Sequence, residues 1–523
     1  MKKSILALAV AAVMLTGCTS PPTGGNTTDG PKNDKGLSAE NKEVKFAKRD
    51  GMFLGYNEIG SLYTVTGSPL TYVVSGKGEV VLPLSDTSKE IIENGGKKYA
   101  VEEIVSNVRK FTDEEYNYDY YDYDKDYHIY DENGKEVGSI IGKTFANYIG
   151  DGNFYAYESS GNGYFIINPF TGSEKNVGPC EIVYDNVNYK NVGILYLDED
   201  FNTTAFSDVS GENRFDITGY NYGYGLSTKD ATFLCLQRLS GKETVAEDGT
   251  SYTENYDIYD LSGNRLNEKG YVRIISRDNF LLGFDGSVTH VLDGKTAQEL
   301  YTVDGDVWGI FKNGNYVVCH GSYSDGVYNQ TYTVMSRDGE VLSDGWDSYD
   351  IPYTSDLTDK IILSKKVAER QYERYVLDDD GNVLCGPITG SDKWISEATD
   401  NYYIVEAYDE DNFGMDYYIY DYAGNEKYSD KNYKRFSYYY NPETGVNYYV
   451  LAYQSPASNN SYIYEVLDSD MNVISDGFKD INGYGMDGND YIISAAKGFD
   501  IGIYDFKTNE WIYKQSVFSE LED

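Results

Sequence analysis

Short segments with alternating apolar and polar residues recur along the chain, and many of them are rich in tyrosine. In Met415–Asp430, MDYYIYDYAGNEKYSD, the side chains of Tyr417 and Ile419 face one side of an extended chain, and that of Tyr418 faces the other. Tyrosine and isoleucine favour pleated, half-buried surfaces. The pattern therefore predicts a β-strand, followed by a turn and a returning strand that resumes at Glu426–Tyr428.

A tight turn of the form Asp-x-x-Gly separates the two strands. Asp421 suits the first position of a type I turn because its carboxylate accepts a backbone N–H, and Gly424 suits the fourth, where a left-handed backbone is needed. The same turn, in strict or looser form, occurs at Ser75–Gly78, Asp131–Gly134, Asn168–Gly172, Asp208–Gly211, Asp260–Gly263, Asp293–Gly294, Ser336–Gly339, Asp378–Gly381, Asp421–Gly424, Asp468–Asn472 and Asp505–Asn509. The intervals between these eleven turns range from about 33 to 56 residues, with a mean near 43.

A second pattern precedes each turn by about 15 to 25 residues. It is a small polar bend followed by an aromatic-led strand, as in NGNYVVCHG and GNDYIISAA. Each unit thus contains at least three short strands and has room for a fourth. A period of about 40 to 45 residues with this content is typical of a β-propeller blade, whose small sheet must be covered by its neighbours. We predict an all-β chain, a β-propeller built from Tyr-rich repeats of three to four antiparallel strands.

Eleven turns exceed the roughly four to eight blades of a typical propeller. The count fits turns that share a blade, two tandem propellers divided near residues 220–250, one unusually large ring, or an open array. The two longest intervals suggest insertions. Tyr99–Phe111 has apolar residues at helical spacing and predicts a short helix, and Leu239–Asn255 predicts a polar loop.

The amino-terminal residues follow a different pattern. Lys2 and Lys3 precede an apolar run, Ile5–Leu15, that is too short to span a membrane but has the length of a signal-peptide core. The run ends in Leu-Thr-Gly-Cys, which resembles the bacterial lipobox. This resemblance implies that residues 1–17 are a lipoprotein signal peptide and that Cys18 receives a diacylglyceryl group. We expect a protein anchored by lipid on the extracytoplasmic face of a bacterial cell membrane, where two or more acyl chains hold stably.

Residues 18–44 separate the predicted lipid anchor from the repeats. Their composition of Pro, Gly, Ser, Thr, Asn, Asp and Lys offers almost nothing to bury, which predicts a flexible tether. The repeat region then occupies residues 45–523. No later segment approaches 18 unbroken apolar residues, so the sequence predicts no further span.

The repeated Tyr-x-Ile-Tyr-Asp-x-x-Gly-Asn pattern is similar to the WG-type repeats of bacterial secreted proteins, whose units run Trp-Gly-Tyr-Ile-Asp-x-x-Gly. It also resembles the propeller-type repeat lipoproteins of Gram-positive gut bacteria. The Trp-Gly pair occurs here at Trp308-Gly309, and tyrosine mostly stands in its place elsewhere. The resemblance implies extracytoplasmic binding or scaffolding, with no shared catalytic residues.

The net charge of the chain limits the classes of molecule that it is expected to bind. The chain has 44 basic and 85 acidic residues, a net charge of −41, which repels nucleic acid and anionic lipid. The expected partners are therefore cations and neutral or cationic molecules. The 55 tyrosines suit half-buried strands, and they also suit surfaces that stack on sugars.

Gly138–Thr144, GSIIGKT, resembles a phosphate-binding loop, but it is one residue short between its glycines and follows a hairpin turn, so we interpret it as a chance match. The three histidines form no zinc motif. The cysteines other than Cys18 are scattered and predict small buried apolar side chains, and the sequence leaves a disulfide between two of them open.

Asp122, Asp124 and Asp126 alternate like the first ligands of an EF-hand calcium loop. Tyr127 and Asn133 stand where that loop needs its glycine and its bidentate glutamate. We therefore predict an acidic strand edge, of the kind whose charges discourage aggregation. A structural surface module stabilised by calcium stays an alternative.

The sequence assigns no catalytic, cofactor or metal-binding residue. We expect a binding or scaffolding module whose loops, at one end of the blades, contact a glycan or a protein partner. The aromatic candidates for ligand contact are Trp308, Trp346, Trp394 and Tyr438–Tyr440, whose alternative role is core packing. The alternative function is a propeller glycoside hydrolase that uses paired carboxylates.

Overall fold

A computed structural model describes residues 48–57, 70–113, 118–158, 163–185, 190–245, 251–277, 279–324, 327–352, 359–409, 414–441, 444–456, 461–483 and 489–516. All regular secondary structure in these ranges is β-strand. No helix with the length and apolarity to cross a bilayer occurs in the part of the chain that is described. The predicted signal peptide, Cys18 and tether lie outside the described residues.

The strands form antiparallel meanders, which we name blades A to K in chain order. The first five blades comprise β1 (Met52–Asn57), β2 (Leu70–Ser75) and β3 (Val80–Ser85) in A; β4 (Ser88–Asn94), β5 (Lys97–Asp113), β6 (Tyr118–Tyr130) and β7 (Glu136–Lys143) in B; β8 (Phe145–Gly150), β9 (Asn153–Glu158), β10 (Gly163–Asn168) and β11 (Ser173–Asn176) in C; β12 (Cys180–Tyr184), β13 (Asn191–Leu197), β14 (Thr203–Ser207) and the first half of β15 (Phe215–Ser227) in D; and the second half of β15, β16 (Thr232–Val245) and β17 (Ser251–Tyr259) in E.

The remaining blades comprise β18 (Arg273–Arg277), β19 (Phe280–Phe284), β20 (Val288–Asp293) and β21 (Glu299–Asp304) in F; β22 (Asp306–Ile310), β23 (Tyr316–Ser324), β24 (Val327–Met335) and β25 (Val341–Trp346) in G; β26 (Ser348–Asp350), β27 (Ile361–Ala368), β28 (Gln371–Leu377) and β29 (Val383–Thr389) in H; β30 (Lys393–Ala398), β31 (Tyr402–Asp409) and β32 (Gly414–Asp421) in I; β33 (Tyr433–Tyr440), β34 (Asn447–Gln454), β35 (Tyr462–Leu467) and the first half of β36 (Val473–Asn482) in J; and the second half of β36, β37 (Ile492–Lys497), β38 (Asp500–Asp505) and β39 (Glu510–Ser516) in K.

Each of the eleven turns predicted from the sequence lies in a different blade, where it follows the third strand, or the second strand in blade A. In blade I, the Gly424 N–H donates to the Asp421 carbonyl at 2.9 Å, and the Asn425 N–H donates to Asp421 Oδ1 at 2.8 Å. Gly424 has a φ of 85°, the left-handed conformation that the turn requires. Hydrogen bonds from the side chain and backbone of Asn425 hold the pKa of Asp421 below its usual value. The turns therefore do not share blades.

Eleven apolar clusters lie between consecutive blades, within the described residues. In the cluster between B and C, for example, Ile129 of β6 packs with Phe154 of β9, and both side chains are fully buried. Each small sheet thus buries its two faces against its two neighbours. This is the stacking that the repeat length predicts, and it confirms the β-propeller fold.

The last blade packs against the first. Phe53, Tyr72 and Val74 of blade A share a cluster with Ile492, Ile503 and Ile512 of blade K. Across the same interface, the Tyr56 N–H donates to Ser494 Oγ at 3.1 Å, and Arg49 forms an ion pair with the buried Asp505. The eleven blades therefore close into one ring.

Fourth strands are the most exposed, and this places them at the outside of the ring. Every residue of β11 is exposed, as are most residues of β21 and β25, whereas central strands such as β19 are largely buried. The sequence allows a division into two propellers near residues 220–250, and residues 220–245 of this region lie in β15, β16 and the turn between them. These strands join blades D and E in one sheet, and the D–E apolar cluster is continuous there.

Two sequence predictions about insertions are wrong. Tyr99–Phe111 is not a helix but part of β5, because its residues pair with β6 from Ala100 to Asp113. The helical spacing of its apolar residues is misleading, since Val105 and Val108 are exposed. Much of Leu239–Asn255 is strand as well, because β16 and β17 extend outward as a paired hairpin.

In place of a fourth strand, blade E has two isolated bridges, between Tyr259 and Arg265 and between Tyr256 and Tyr271. A buried carboxylate compensates for the missing ladder. Asp257 accepts hydrogen bonds from Arg238 (2.6 and 2.8 Å), Arg265 (2.9 Å), Asn267 (2.9 Å) and the Tyr220 hydroxyl (2.6 Å). The network fixes the outer edge of blade E to the strands beneath it.

The four cysteines in the repeat region are buried and form no disulfide. They lie in four different interblade clusters, C–D for Cys180, E–F for Cys235, G–H for Cys319 and H–I for Cys385. Burial raises the pKa of each thiol, to about 12 for Cys180 and Cys235 and about 11 for Cys319 and Cys385. The prediction that they are small apolar core residues is confirmed.

Candidate functional site

A cavity of about 510 Å³ lies between blades J and K, on the end of the ring that carries the Asp-x-x-Gly turns. We call it the J–K pocket. It is lined by Gly445, Val446, Asn447, Tyr448, Asp468, Ser469, Ile474, Tyr491, Phe506 and Lys507. Its volume is within the range of about 300–1,000 Å³ that is usual for small-molecule sites.

Aromatic side chains form the floor and one wall of the J–K pocket. Tyr448 and Phe506 are buried and meet edge to face, with their ring centroids 4.8 Å apart. Tyr491 is half-buried, and its ring centroid lies 5.6 Å from that of Phe506. Ile474 adds an exposed aliphatic surface at the rim. The pocket therefore offers an apolar surface that a ligand can partly cover.

A hydrogen-bonded cluster supports this wall from behind. Asp490 is buried, and its Oδ1 accepts hydrogen bonds from the Tyr439 hydroxyl at 2.9 Å and from Asn441 Nδ2 at 2.7 Å. Tyr439 in turn stacks on Tyr448, with 4.7 Å between ring centroids. Burial and the bond to Asp490 raise the pKa of Tyr439, so its hydroxyl stays a donor. These contacts fix Tyr448 and the start of β37 in place.

The rim carries one group of each charge. Lys507 is exposed, and its ammonium lies 4.2 Å from the centroid of the Tyr491 ring. Asp468 is held by its own turn, because its Oδ1 accepts the backbone N–H groups of Asp470 and Asn472. Charges of both signs, together with the Asn447 amide and the Ser469 hydroxyl, suit hydrogen bonds to a ligand without net charge.

The structure distributes the predicted aromatic candidates over several blades. Trp346 is buried, and its Nε1 donates to Ser343 Oγ at 3.0 Å. Trp308 is half-buried, and Trp394 is exposed beside the Arg374 guanidinium, 5.8 Å away. Among these candidates, Tyr439 is the one whose contacts lead to the J–K pocket. Tyr438 packs on Tyr449 in the I–J cluster, and Tyr440 is half-buried at the end of β33.

Sequence reasoning missed Tyr491, Phe506 and Lys507, which lie on different strands and turns. All three belong to patterns that the sequence does contain. Tyr491 begins an aromatic-led strand, and Phe506 and Lys507 are inside the turn Asp505–Asn509. Nothing in one repeat indicates which neighbouring blade completes the pocket, because that depends on packing between blades.

On the first strand of blade G, Asp306 illustrates the carboxylates that the glycoside hydrolase alternative would use. Burial raises its pKa, although Arg273 forms an ion pair with it and Trp308 Nε1 donates to it at 3.0 Å. The guanidinium of Arg273 also lies 4.9 Å from the Trp308 ring. The carboxylate of Asp306 is thus paired with an arginine. The two catalytic carboxylates of a glycoside hydrolase instead face each other across the sugar.

The segments that resemble binding motifs are strands. Lys143, the lysine of the loop-like Gly138–Thr144, is buried in β7 and binds Glu158 at 3.1 Å and Glu174 at 3.0 Å. Its ammonium is therefore already neutralised and does not face a phosphate site.

The acidic segment that resembles the start of an EF-hand loop is an extended strand, β6. Arg109 binds both Asp122 and Asp124, at 2.8 and 2.7 Å, and the Gly142 N–H donates to Asp126 Oδ1 at 2.8 Å. An EF-hand needs these carboxylates to converge from a curved loop. Among the residues that the structure describes, no group of three or more His, Cys, Asp or Glu side chains is arranged to hold a metal ion.

No protein-family model and no curated protein sequence matches the chain. Similar solved structures include a eukaryotic initiation factor, with 10% identity over 75% of this chain and 93% of that chain and a TM-score of 0.34. The β-propeller domain of the Trilobed protease from Pyrococcus furiosus has 10% identity over 74% and 96%, with a TM-score of 0.25. The Dos1 propeller has 11% identity over 69% and 91%, with a TM-score of 0.29. Identities this low concern the fold alone.

Proposed function

We propose that this protein is a lipid-anchored, extracytoplasmic binding module whose J–K pocket takes a neutral glycan. The observation that carries the ligand class is the pocket itself, with an aromatic and aliphatic surface inside and hydrogen-bonding groups of both charges at its rim. A pyranose has the complementary surfaces, because its C–H face packs on rings and its hydroxyls bond at the edge. A net charge of −41 disfavours anionic glycans.

The anchor follows from the sequence pattern that ends at Cys18. If Cys18 carries the lipid, a Cys18→Ser variant expressed in a bacterium is expected to move from the membrane fraction to the soluble extracytoplasmic fraction. It is also expected to lose incorporation of an alkyne-labelled fatty acid, since the thiol is the acceptor. A matched Cys319→Ser variant, which changes a buried core cysteine, keeps both properties. Labelling of the Cys18→Ser variant would refute the anchor.

The glycan site is tested on the Cys18→Ser protein with a glycan array, followed by titration calorimetry of each bound sugar. Tyr491→Ala is expected to weaken binding about tenfold or more, because loss of a stacking ring removes on the order of 1.5 kcal/mol. Tyr491→Phe keeps the ring and most of the affinity. Lys507→Ala changes an exposed side chain that the fold does not need, and we expect it to weaken binding a few-fold.

Tyr408→Ala is the matched control, because Tyr408 is an exposed tyrosine on blade I, away from the pocket. It is expected to leave affinity unchanged. The proposal fails if no glycan binds, or if Tyr491→Ala and Lys507→Ala bind as the parent does. Release of reducing ends from a bound glycan would instead support the glycoside hydrolase alternative.

A further inference from the structure

Blade B carries a two-stranded ribbon that projects beyond its sheet. β4 pairs with β5 only as far as Glu103, and β7 pairs with β6 only from Lys125 onward. Ile104–Asp113 pairs with Tyr118–Asp126 of β6, and no other described strand pairs with Ile104–Asp113 or with Tyr118–Asp124. We call these two segments the B ribbon. A ribbon of this kind leaves backbone N–H and C=O groups at each edge, a template for another strand. The Tyr123 N–H donates to Asp122 Oδ1 at 3.0 Å, so a strand that pairs there replaces this local contact.

The two faces of the B ribbon differ. On one face, Arg109 holds Asp122 and Asp124. On the other face Tyr123 approaches Lys125, which binds Glu103 at 2.8 Å at the base of the ribbon. The second face also carries four solvent-exposed apolar or aromatic side chains, at exposed fractions of 52, 61, 58 and 39% for Val105, Val108, Tyr121 and Tyr123 respectively. A group of exposed apolar side chains on one face of a folded protein is typical of an interaction site.

We propose that the free edge of β6 in the B ribbon binds an extended, basic polypeptide segment of a partner protein, in which basic and apolar residues alternate. An added strand would place every second side chain over Tyr121 and Tyr123 and the others over Asp122 and Asp124. Charge selects this occupant, because Ile104–Asp126 contains seven acidic and three basic residues. The same charge disfavours an anionic bilayer and a second copy of this ribbon.

The test uses the Cys18→Ser protein and a fluorescent synthetic peptide in which Lys and Val alternate. Fluorescence anisotropy is expected to show binding that weakens with salt. A peptide of the same composition with all Lys before all Val binds at least about tenfold more weakly, because it cannot present one apolar face. N-methylation of the backbone amides along one edge of the alternating peptide is expected to weaken binding by a similar factor, because it blocks strand pairing.

The decisive variant is Val108→Asp with Tyr123→Asp. It adds two negative charges, so non-specific attraction of a cationic peptide would grow, whereas loss of the apolar contacts is expected to weaken binding about tenfold or more. The matched control is Val367→Asp with Tyr408→Asp, an exposed pair of the same residue types on blades H and I. We expect it to bind the peptide as tightly as the parent. All four side chains are exposed, so the melting temperature checks that both variants fold.

Three results would overturn the proposal. The first is equal binding of the alternating and block peptides. The second is equal or tighter binding by the Val108→Asp, Tyr123→Asp protein, which would indicate charge attraction alone. The third is that peptide binding persists in the same variant while another interaction is lost. Loss of binding to phosphatidylglycerol vesicles would indicate a lipid surface as the occupant, and loss of self-association in sedimentation would indicate a second copy.

Discussion

Replacing Phe53 with Ala is expected to lower the free energy of unfolding by about 3–5 kcal/mol, as much as the same change at Phe154. Both rings are fully buried between blades, Phe53 at the A–K closure and Phe154 at the B–C interface. In a closed ring the two positions are equivalent, because each loses the same apolar burial and leaves a similar cavity. Urea denaturation of the two variants measures the difference.

An open array gives a different result. Phe53 would then lie on an uncovered outer face of blade A, and its replacement would cost no more than a surface change, about 0.5 kcal/mol. Phe499→Ala supplies the reference for such a change, since Phe499 is the most exposed ring in blade K. A Phe53→Ala variant that behaves like Phe499→Ala while Phe154→Ala is destabilised would contradict the closure.

Asp257→Ala is expected to destabilise the protein by about 3–5 kcal/mol. The side chain of Asp257 is fully buried, and its removal leaves Arg238 and Arg265 without their carboxylate and Asn267 and Tyr220 without an acceptor. Blade E has two isolated bridges at its outer edge instead of a fourth strand, so no continuous ladder compensates for the loss. Glu93→Ala removes the partly exposed pair with Lys98 and is expected to cost less than about 1 kcal/mol.

The pH dependence of the Asp257 effect has a definite sign. Burial alone raises the pKa of Asp257, but hydrogen bonds from Arg238, Tyr220 and Asn267 outweigh it, and the net direction is downward. A carboxyl whose pKa is lower in the folded state stabilises the fold above its unfolded pKa, about 3.9, and loses that contribution as the pH falls through the folded value. The parent and Asp257→Ala should therefore differ equally at neutral and mildly acidic pH and converge below about pH 4. A difference that disappears already near neutral pH would exclude this assignment.

The turns could be predicted from the sequence because their chemistry is local. Asp421 and Gly424 interact with residues within four positions of themselves, so a short segment contains the whole interaction. This is why each predicted turn lies in its own blade. The closure between Phe53 and Ile503 involves residues about 450 positions apart in the chain, and no local pattern encodes that contact.

The wrong helix prediction at Tyr99–Phe111 has a physical cause. Apolar residues at positions 101, 104, 105 and 108 match a helical face, but they serve two purposes in the structure. Val101 belongs to the B–C core, whereas Val105 and Val108 face solvent on the B ribbon. Strand pairing with β6 decides the conformation, because it runs from Ala100 to Asp113 and so covers almost the whole segment.

The J–K pocket was only partly predictable. The aromatic run Tyr438–Tyr440 is a predicted candidate for ligand contact, and Tyr439 supports the pocket through its hydrogen bond to Asp490. Blade K contributes Tyr491, Phe506 and Lys507 to the pocket lining, and blade J contributes the remaining residues. Such a site depends on which turn of one blade meets which strand of the next, and a single repeat does not specify that.

The most direct test of the closed ring is a distance across the A–K interface. Spin labels at Lys77→Cys and Glu510→Cys in the Cys18→Ser protein report it, since the native cysteines are buried and resist labelling. The turn at Gly78 lies against β39, where a Cβ on Gly78 would approach the Ile512 carbonyl to 2.8 Å. We predict one narrow, short distance, comparable to that of a Ser469→Cys and Lys507→Cys pair across the J–K interface. A long and broad distribution for the first pair, with a short one for the second, would contradict the ring.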